Sequence, residues 1–192
     1  MLKAGIVAVS DDGNCVMNSY VMRKAMDYCK QFNIPVIDHC EDTNLKGEGV
    51  MNEGYYSMKL GLRGVPAVSE EIMVSRDIAL SNHTGCKTHI AHVSCEGSIR
   101  VIADAKEDGV PITAEVTPHH IFLTEEAVSN YDPNTKVNPP LRTEKDTKAI
   151  RQAIKNGIID CIATDHAPHS VEKKDIEYQL SKSGMIGLET AL

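Results

Sequence analysis

The sequence predicts an α/β fold with parallel strands, part of a TIM-like (β/α) barrel, and three observations carry that expectation. Short β-type runs alternate with stretches of helical period along the whole chain, the pattern that gives parallel strands joined by right-handed crossovers. Neither a Gly-x-Gly-x-x-Gly after an early strand nor a Gly-x-x-x-x-Gly-Lys loop is present, which removes the Rossmann and P-loop forms of an open sheet. The chemically potent residues follow four or five different β-runs at the same end, and a barrel assembles its site in that way on its C-terminal face.

The elements follow in order. The first β-run, residues 3–9, ends in the turn-forming Ser10-Asp11-Asp12-Gly13. A helix over about residues 18–33 follows, because Val21, Met22, Ala25, Met26 and Cys29 recur on one apolar face. Residues 35–39 are the second strand. Residues 41–66, polar and with glycines at 47, 49, 54, 61 and 64, read as one long loop of functional or mobile character. Ser69 with Glu70 and Glu71 marks a helix N-terminus, closed by Gly85. The third strand is residues 87–93. Ser94 or Ser98 opens the next helix, which carries Ile99, Ile102, Ala103 and Lys106 and ends at Gly109. Residues 111–116 form the fourth strand, followed by Thr117-Pro118-His119-His120 and a loop through Asn134. Ala149, Ile150, Ala153 and Ile154 mark a helix that stops at Asn156-Gly157, residues 158–163 are the fifth strand, and residues 187–192 begin another helix.

Composition narrows the function classes. With 192 residues, 42% hydrophobic and 24% charged, the chain has ordinary globular character, so collagen-like and disordered readings fall away. No apolar run reaches the roughly 20 residues of a membrane span, and the N-terminus lacks a signal-peptide core, so a cytoplasmic location is expected. A formal charge of -7 without a basic run argues against nucleic acid and against an anionic membrane surface as partners. The six cysteines contain no Cys-x-x-Cys pair and read as free thiols.

Asp12, His39, His92 and Asp165 each follow a separate β-run. A closed barrel would point all four toward one pocket, a mixed N/O set suited to zinc. One histidine after a strand is more often structural, but four such residues in register are a constellation. Strand alternation places Ile90 and His92 on one face and His89 on the other, so His89 and His83 are expected to be structural.

Ser10-Asp11-Asp12-Gly13, His39-Cys40-Glu41-Asp42, His92-Val93-Ser94, Asn138-Pro139-Pro140-Leu141-Arg142, Ala163-Thr164-Asp165-His166-Ala167-Pro168-His169 and Gly187-Leu188-Glu189-Thr190 keep an order and spacing that resembles the class I, bacterial-type dihydroorotases. These are metal-dependent β/α barrels of the amidohydrolase superfamily. The resemblance implies that Asp12 bridges two zinc ions, that His39 and His92 bind the more exposed one, and that Asp165 touches the other and shuttles the proton. It implies that Asn138, His169 and the backbone at Ser183 and Gly184 hold the substrate, although Asn138 by itself reads as a turn before Pro139. Asp11 is expected to be a turn and supporting residue, His119 and His120 supporting or packing residues, and Arg142 a surface residue opening a helix.

The implied reaction is the reversible hydrolysis of dihydroorotate to N-carbamoyl-aspartate in pyrimidine (UMP) synthesis. Hydantoinases, dihydropyrimidinases and allantoinases are the alternative within the class. They usually bridge their metals with a carbamylated lysine where this chain has Asp12. A non-catalytic scaffold is the alternative outside it. In a full-length enzyme a homodimer or an aspartate transcarbamoylase partner is expected.

The resemblance is partial. The family's His-x-His pair and its nearby substrate-binding Arg are missing from this sequence, and five strands stand where the family has eight, corresponding to its fourth through eighth. The last helix and the small β-rich domain are also missing, and Ser181-Lys182-Ser183-Gly184 departs from the family's Ala-Pro-Phe-Gly. At 192 residues the chain falls short of the roughly 250 of a whole barrel. As it stands it is expected to hold at most one zinc weakly, to lack hydrolysis, and to expose two strand edges and an apolar interior strip that make it poorly soluble or bind a complementary piece.

Overall fold

The computed structural model describes residues 2–191. Strand β1 (Val9–Ser10) leads to helix α1 (Ser19–Gln31), whose first turn is capped by the Asn18 side chain accepting from the backbone N–H groups of Tyr20 and Val21. Met22, Met26 and Cys29 form its buried face, as the periodicity predicts. Then come β2 (Val36–Asp38), α2 (Thr43–Lys46), β3 (Met51–Asn52), α3 (Tyr55–Leu60), β4 (Gly64–Val65) and α4 (Val68–Thr84). The second half comprises β5 (Thr88–Ile90), α5 (Glu96–Glu107), β6 (Ile112–Val116), α6 (Pro118–Phe122), α7 (Glu144–Lys155), β7 (Cys161–Ile162) and α8 (Val171–Lys174).

Five strands form one parallel sheet in the order β1-β2-β5-β6-β7. Each new strand is added on the same side of the last, so the order never reverses as it does in a doubly wound sheet. That monotonic winding is the arc of a barrel wall, as the sequence predicts. One face of the arc is covered by helices. Ile90, Ile112, Ala114 and Val116 pack there with Ile99 and Ile102 of α5 and Ile150 and Ala153 of α7, all buried.

Several expectations are corrected. Residues 3–9 are not one strand. Leu2–Ala4 form a 3-10 turn closed by Gly5, whose φ of +84 a side chain would resist, and only Val9 and Ser10 pair with β2. Residues 41–66 are not a bare loop. Asp42 caps α2, and β3 pairs in parallel with β4 across α3, forming a small βαβ unit over a core of Met51, Leu62, Val128 and Tyr178. Two-residue strands carry no readable alternation, so this unit left no periodic trace.

Ser69 lies inside α4 and bonds the Pro66 carbonyl, while Ala67 is the cap position. Cys95, rather than Ser94 or Ser98, precedes α5, because the Ser94 hydroxyl is engaged by Glu70. The expected C-terminal helix is one 3-10 turn, Leu188–Thr190, with residue 192 outside the described residues. The face opposite the helices has a polar centre, His89, Thr113 and Glu115, where an apolar strip was expected.

Candidate functional site

The loops after β1, β2, β5 and β7 converge on one cavity of about 290 Å³, lined by Asp12, His39, His92 and Asp165 together with Lys46, Asn138, Ser183 and Gly184. Seven of the eight residues predicted for metal and substrate therefore share a single space. His169 does not line it. Its Nε2 lies 2.8 Å from the Ser183 carbonyl, and it borders a neighbouring cavity of about 310 Å³ that shares Gly184.

His39 is fixed from its backbone outward. The Asp11 carboxylate accepts from the His39 N–H at 2.9 Å and from the Val16 N–H at 3.0 Å, tying the turn after β1 to the end of β2. Burial, reinforced by a hydrogen bond to Asp38, pushes the Asp11 carboxyl up to about 6. Nδ1 of His39 lies 2.8 Å from Nε2 of His92, and Nε2 of His39 lies 3.1 Å from the Asn138 amide nitrogen. The Glu41 carboxylate stands 3.6 Å from the same Nε2 atom. The other ring nitrogen of His92, Nδ1, is buried without a hydrogen-bond partner. Burial and the facing His39 ring push His92 down to about 3, so it is neutral at physiological pH.

His92 and Asp165 have φ of +35 and +45, a region that side-chain-bearing residues rarely occupy. Such strain concentrates at functional sites. It also corrects the alternation argument. Ile90 is buried against the helices, whereas β5 stops at that residue and the left-handed turn swings His92 into the cavity. Asp12 is exposed and Asp165 half-buried. Burial and then the Asp12 charge raise the Asp165 carboxyl above the usual range, which suits a group that exchanges a proton.

The donor set fits a zinc-class ion: two imidazoles in contact, one with an orphaned buried nitrogen, and two carboxylates on the same cavity. The fit is incomplete in its spacing. Among the described residues, the groups of three donors that all lie within 4.8 Å of one another are elsewhere, so Asp12 and Asp165 stand back from the imidazole pair.

Four further residues take positions that sequence reasoning left open or misread. Lys46 lines the cavity, and its Nζ donates to Glu41 at 2.7 Å. Burial pushes Glu41 up, but hydrogen bonds from His39 and Lys46 outweigh it and hold the carboxyl at about 2. The Asp42 cap was the available signal, since the turn it starts folds Lys46 back onto Glu41. His120 is structural, with its ring nitrogens 2.8 Å from Thr117 Oγ1 and 3.0 Å from the Pro139 carbonyl, which supports the residue after Asn138. His119 is buried with neither ring nitrogen bonded, and burial pushes it down to about 4. Arg142 is not a surface residue. It is 2% exposed and donates to Ser94, Asn52 and the Val65 carbonyl, with Glu70 at 4.0 Å.

A model of the Dihydro-orotase-like family matches residues 1–98, just over half of the chain. The chain belongs to the dihydroorotase-like family. It is 57% identical over 192 residues to a dihydroorotase of Pelotomaculum thermopropionicum, which covers 100% of this chain and 45% of that protein. A dihydroorotase of Caldanaerobacter subterraneus subsp. tengcongensis is 54% identical over 189 residues, 98% of this chain and 44% of its own. The chain thus spans a little under half the length of these dihydroorotase relatives.

Among solved structures, a dihydropyrimidinase from Brevibacillus agri superposes with a TM-score of 0.81 at 23% identity, over 98% of this chain and 44% of that one. A dihydroorotase from Saccharomyces cerevisiae in complex with 5-fluoroorotic acid gives 0.76 at 19% identity, over 99% and 53%. At these identities the likeness is one of fold. A partial barrel is what this dihydroorotase-like chain shares with them.

Proposed function

We propose that this chain is the metal- and substrate-binding portion of a dihydroorotase, acting in the reversible hydrolysis of dihydroorotate to N-carbamoyl-aspartate during pyrimidine synthesis in the cytoplasm. The observation that supports this most directly is the convergence of Asp12, His39, His92, Asp165 and Asn138 on one cavity at the C-terminal ends of consecutive parallel strands. In this reading the five strands are the fourth through eighth of a barrel. The remaining ligands come from strands that this sequence does not contain.

His39, His92, Asp12 and Asp165 are the residues of this chain that would hold zinc. Zinc, when bound, supplies Lewis acidity toward a cyclic amide carbonyl and a lowered pKa for water. The protein's own groups do the rest. Asp165, its carboxyl raised by burial and Asp12, takes a proton from the attacking water and returns it to the departing ring nitrogen. Asn138 and the backbone at Ser183 and Gly184 orient the ring, and His169 holds the Ser183 carbonyl in place. Lys46, ion-paired with Glu41, places an ammonium donor at the cavity wall.

The test is reconstitution. The chain is mixed with, or fused to, the N-terminal portion of the Pelotomaculum thermopropionicum dihydroorotase, and zinc content and dihydroorotate turnover are measured in both directions. Turnover that appears with the added portion and disappears in D165N is the expected result. A folded, zinc-loaded complex without turnover would sink the reading in favour of a non-catalytic scaffold.

A further inference from the structure

The sheet face opposite the helices holds a second cluster that the proposed site does not use. His89 on β5 is in register with Thr113 on β6, and Glu115 on β6 with Cys161 on β7. Parallel pairing in register puts these side chains on the same face, and they meet. His89 Nδ1 lies 2.7 Å from Thr113 Oγ1, and its Nε2 lies 3.0 Å from Glu115 Oε2. Cys161 Sγ lies 4.0 Å from the same Glu115 oxygen, and the three donor atoms of His89, Glu115 and Cys161 all fall within 4.8 Å of one another.

We propose that His89 Nε2, Glu115 Oε2 and Cys161 Sγ form a mononuclear site for a zinc-class divalent ion, separate from the cavity of His39 and His92. Tetrahedral bonds of about 2.0–2.3 Å place neighbouring donors roughly 3.3–3.7 Å apart, and the two measured separations bracket that range. Thr113 occupies the other nitrogen of the His89 ring, fixing its orientation as partners of ligating histidines do. A nitrogen, an oxygen and a sulfur donor together favour zinc, cobalt or nickel over magnesium or calcium. The exposed Cys161 gives the ion an entry from solvent and leaves room for water as fourth ligand. On binding, the Cys161 thiol proton passes to solvent, and the ring proton of His89 moves from Nε2, where it faces Glu115, to Nδ1, where Thr113 Oγ1 accepts it.

Two comparable clusters show what a filled charge balance looks like. Asp11, Cys15 and Asp38, and Asp38, Cys40 and Asp77, already have a cation, because the Arg76 guanidinium lies 3.6 Å from Asp38 and 2.8 Å from Asp77. Among the described residues, the ion-pair partner of Glu115 is His89 and no lysine or arginine. The position is therefore open to a metal cation.

Cobalt(II) titration of the reduced chain tests the site, because a thiolate ligand gives a charge-transfer band in the near ultraviolet that the cysteine-free His39/His92 cavity cannot produce. The band should appear, vanish in C161S and persist in C15S. E115Q, which preserves shape, should weaken cobalt binding by at least about tenfold. The proposal is overturned if no band develops, if the band survives in C161S, or if E115Q binds as the parent chain does. None of these outcomes depends on dihydroorotate turnover.

Discussion

His39 and His92, 53 residues apart, bring their rings to 2.8 Å between Nδ1 and Nε2 inside the cavity. The contact leaves one ring nitrogen of His92 buried without a partner, which costs stability. A shared cation would convert both rings into ligands. Replacing His92 by Asn should therefore weaken zinc binding by this chain at least about tenfold, measured by competition with a chelating indicator. Equal affinity in H92N would remove His92 from the ligand set.

Asp11 holds the backbone from which His39 projects. D11A loses two acceptor contacts and should cost about 1–3 kcal/mol in urea unfolding, with D11N, which keeps one acceptor oxygen, losing less. If D11A and D11N unfold at the same urea midpoint as the parent, the carboxylate is not what anchors the turn.

Arg142 is the buried tie between the small βαβ unit and the sheet. R142M removes its bonds to Asn52, Ser94 and Val65 and leaves the Glu70 carboxylate, 3% exposed, without its nearest cation. Breaking a buried pair from one side costs about 3–5 kcal/mol, so R142M should unfold far earlier in denaturant, whereas R63M on the surface should not. Similar midpoints for the two variants would show that the buried network contributes little.

His119 gives a pH signature. Burial depresses it from 6.5 to about 4, so the unfolded chain binds its proton more readily and stability falls as pH drops through 6.5 toward 4. Between pH 7.5 and 5 that loss is about 2 kcal/mol from this residue. Asp11 and Asp38, raised to about 6 and about 7, act in the opposite sense, so the comparison must be with H119Q. H119Q should lose less stability than the parent over this interval. Parallel curves would mean that His119 is already solvated.

The legibility of the sequence divided by range. Elements with enough length to show a period were readable: α1 was located from Met22, Met26 and Cys29, and β6 within residues 111–116. Strands of two or three residues were placed but not bounded, because partners across the sheet set their limits. The βαβ unit of β3, α3 and β4 was invisible, being stabilised by Val128 and Tyr178 from far along the chain. Arg142 was misread for the same reason, since its partners at positions 52, 65, 70 and 94 are distant in sequence.

The sequence by itself determined the winding, the winding direction and the identity of the residues at the strand ends, because alternation of apolar period and motif order are local properties. Only the tertiary structure decided how those residues meet. The left-handed turns at His92 and Asp165, the Asp11 tether on His39, and the pairing of His89 with Glu115 each depend on strands brought together from remote positions. Their cause is the register of a parallel sheet, which no single segment encodes.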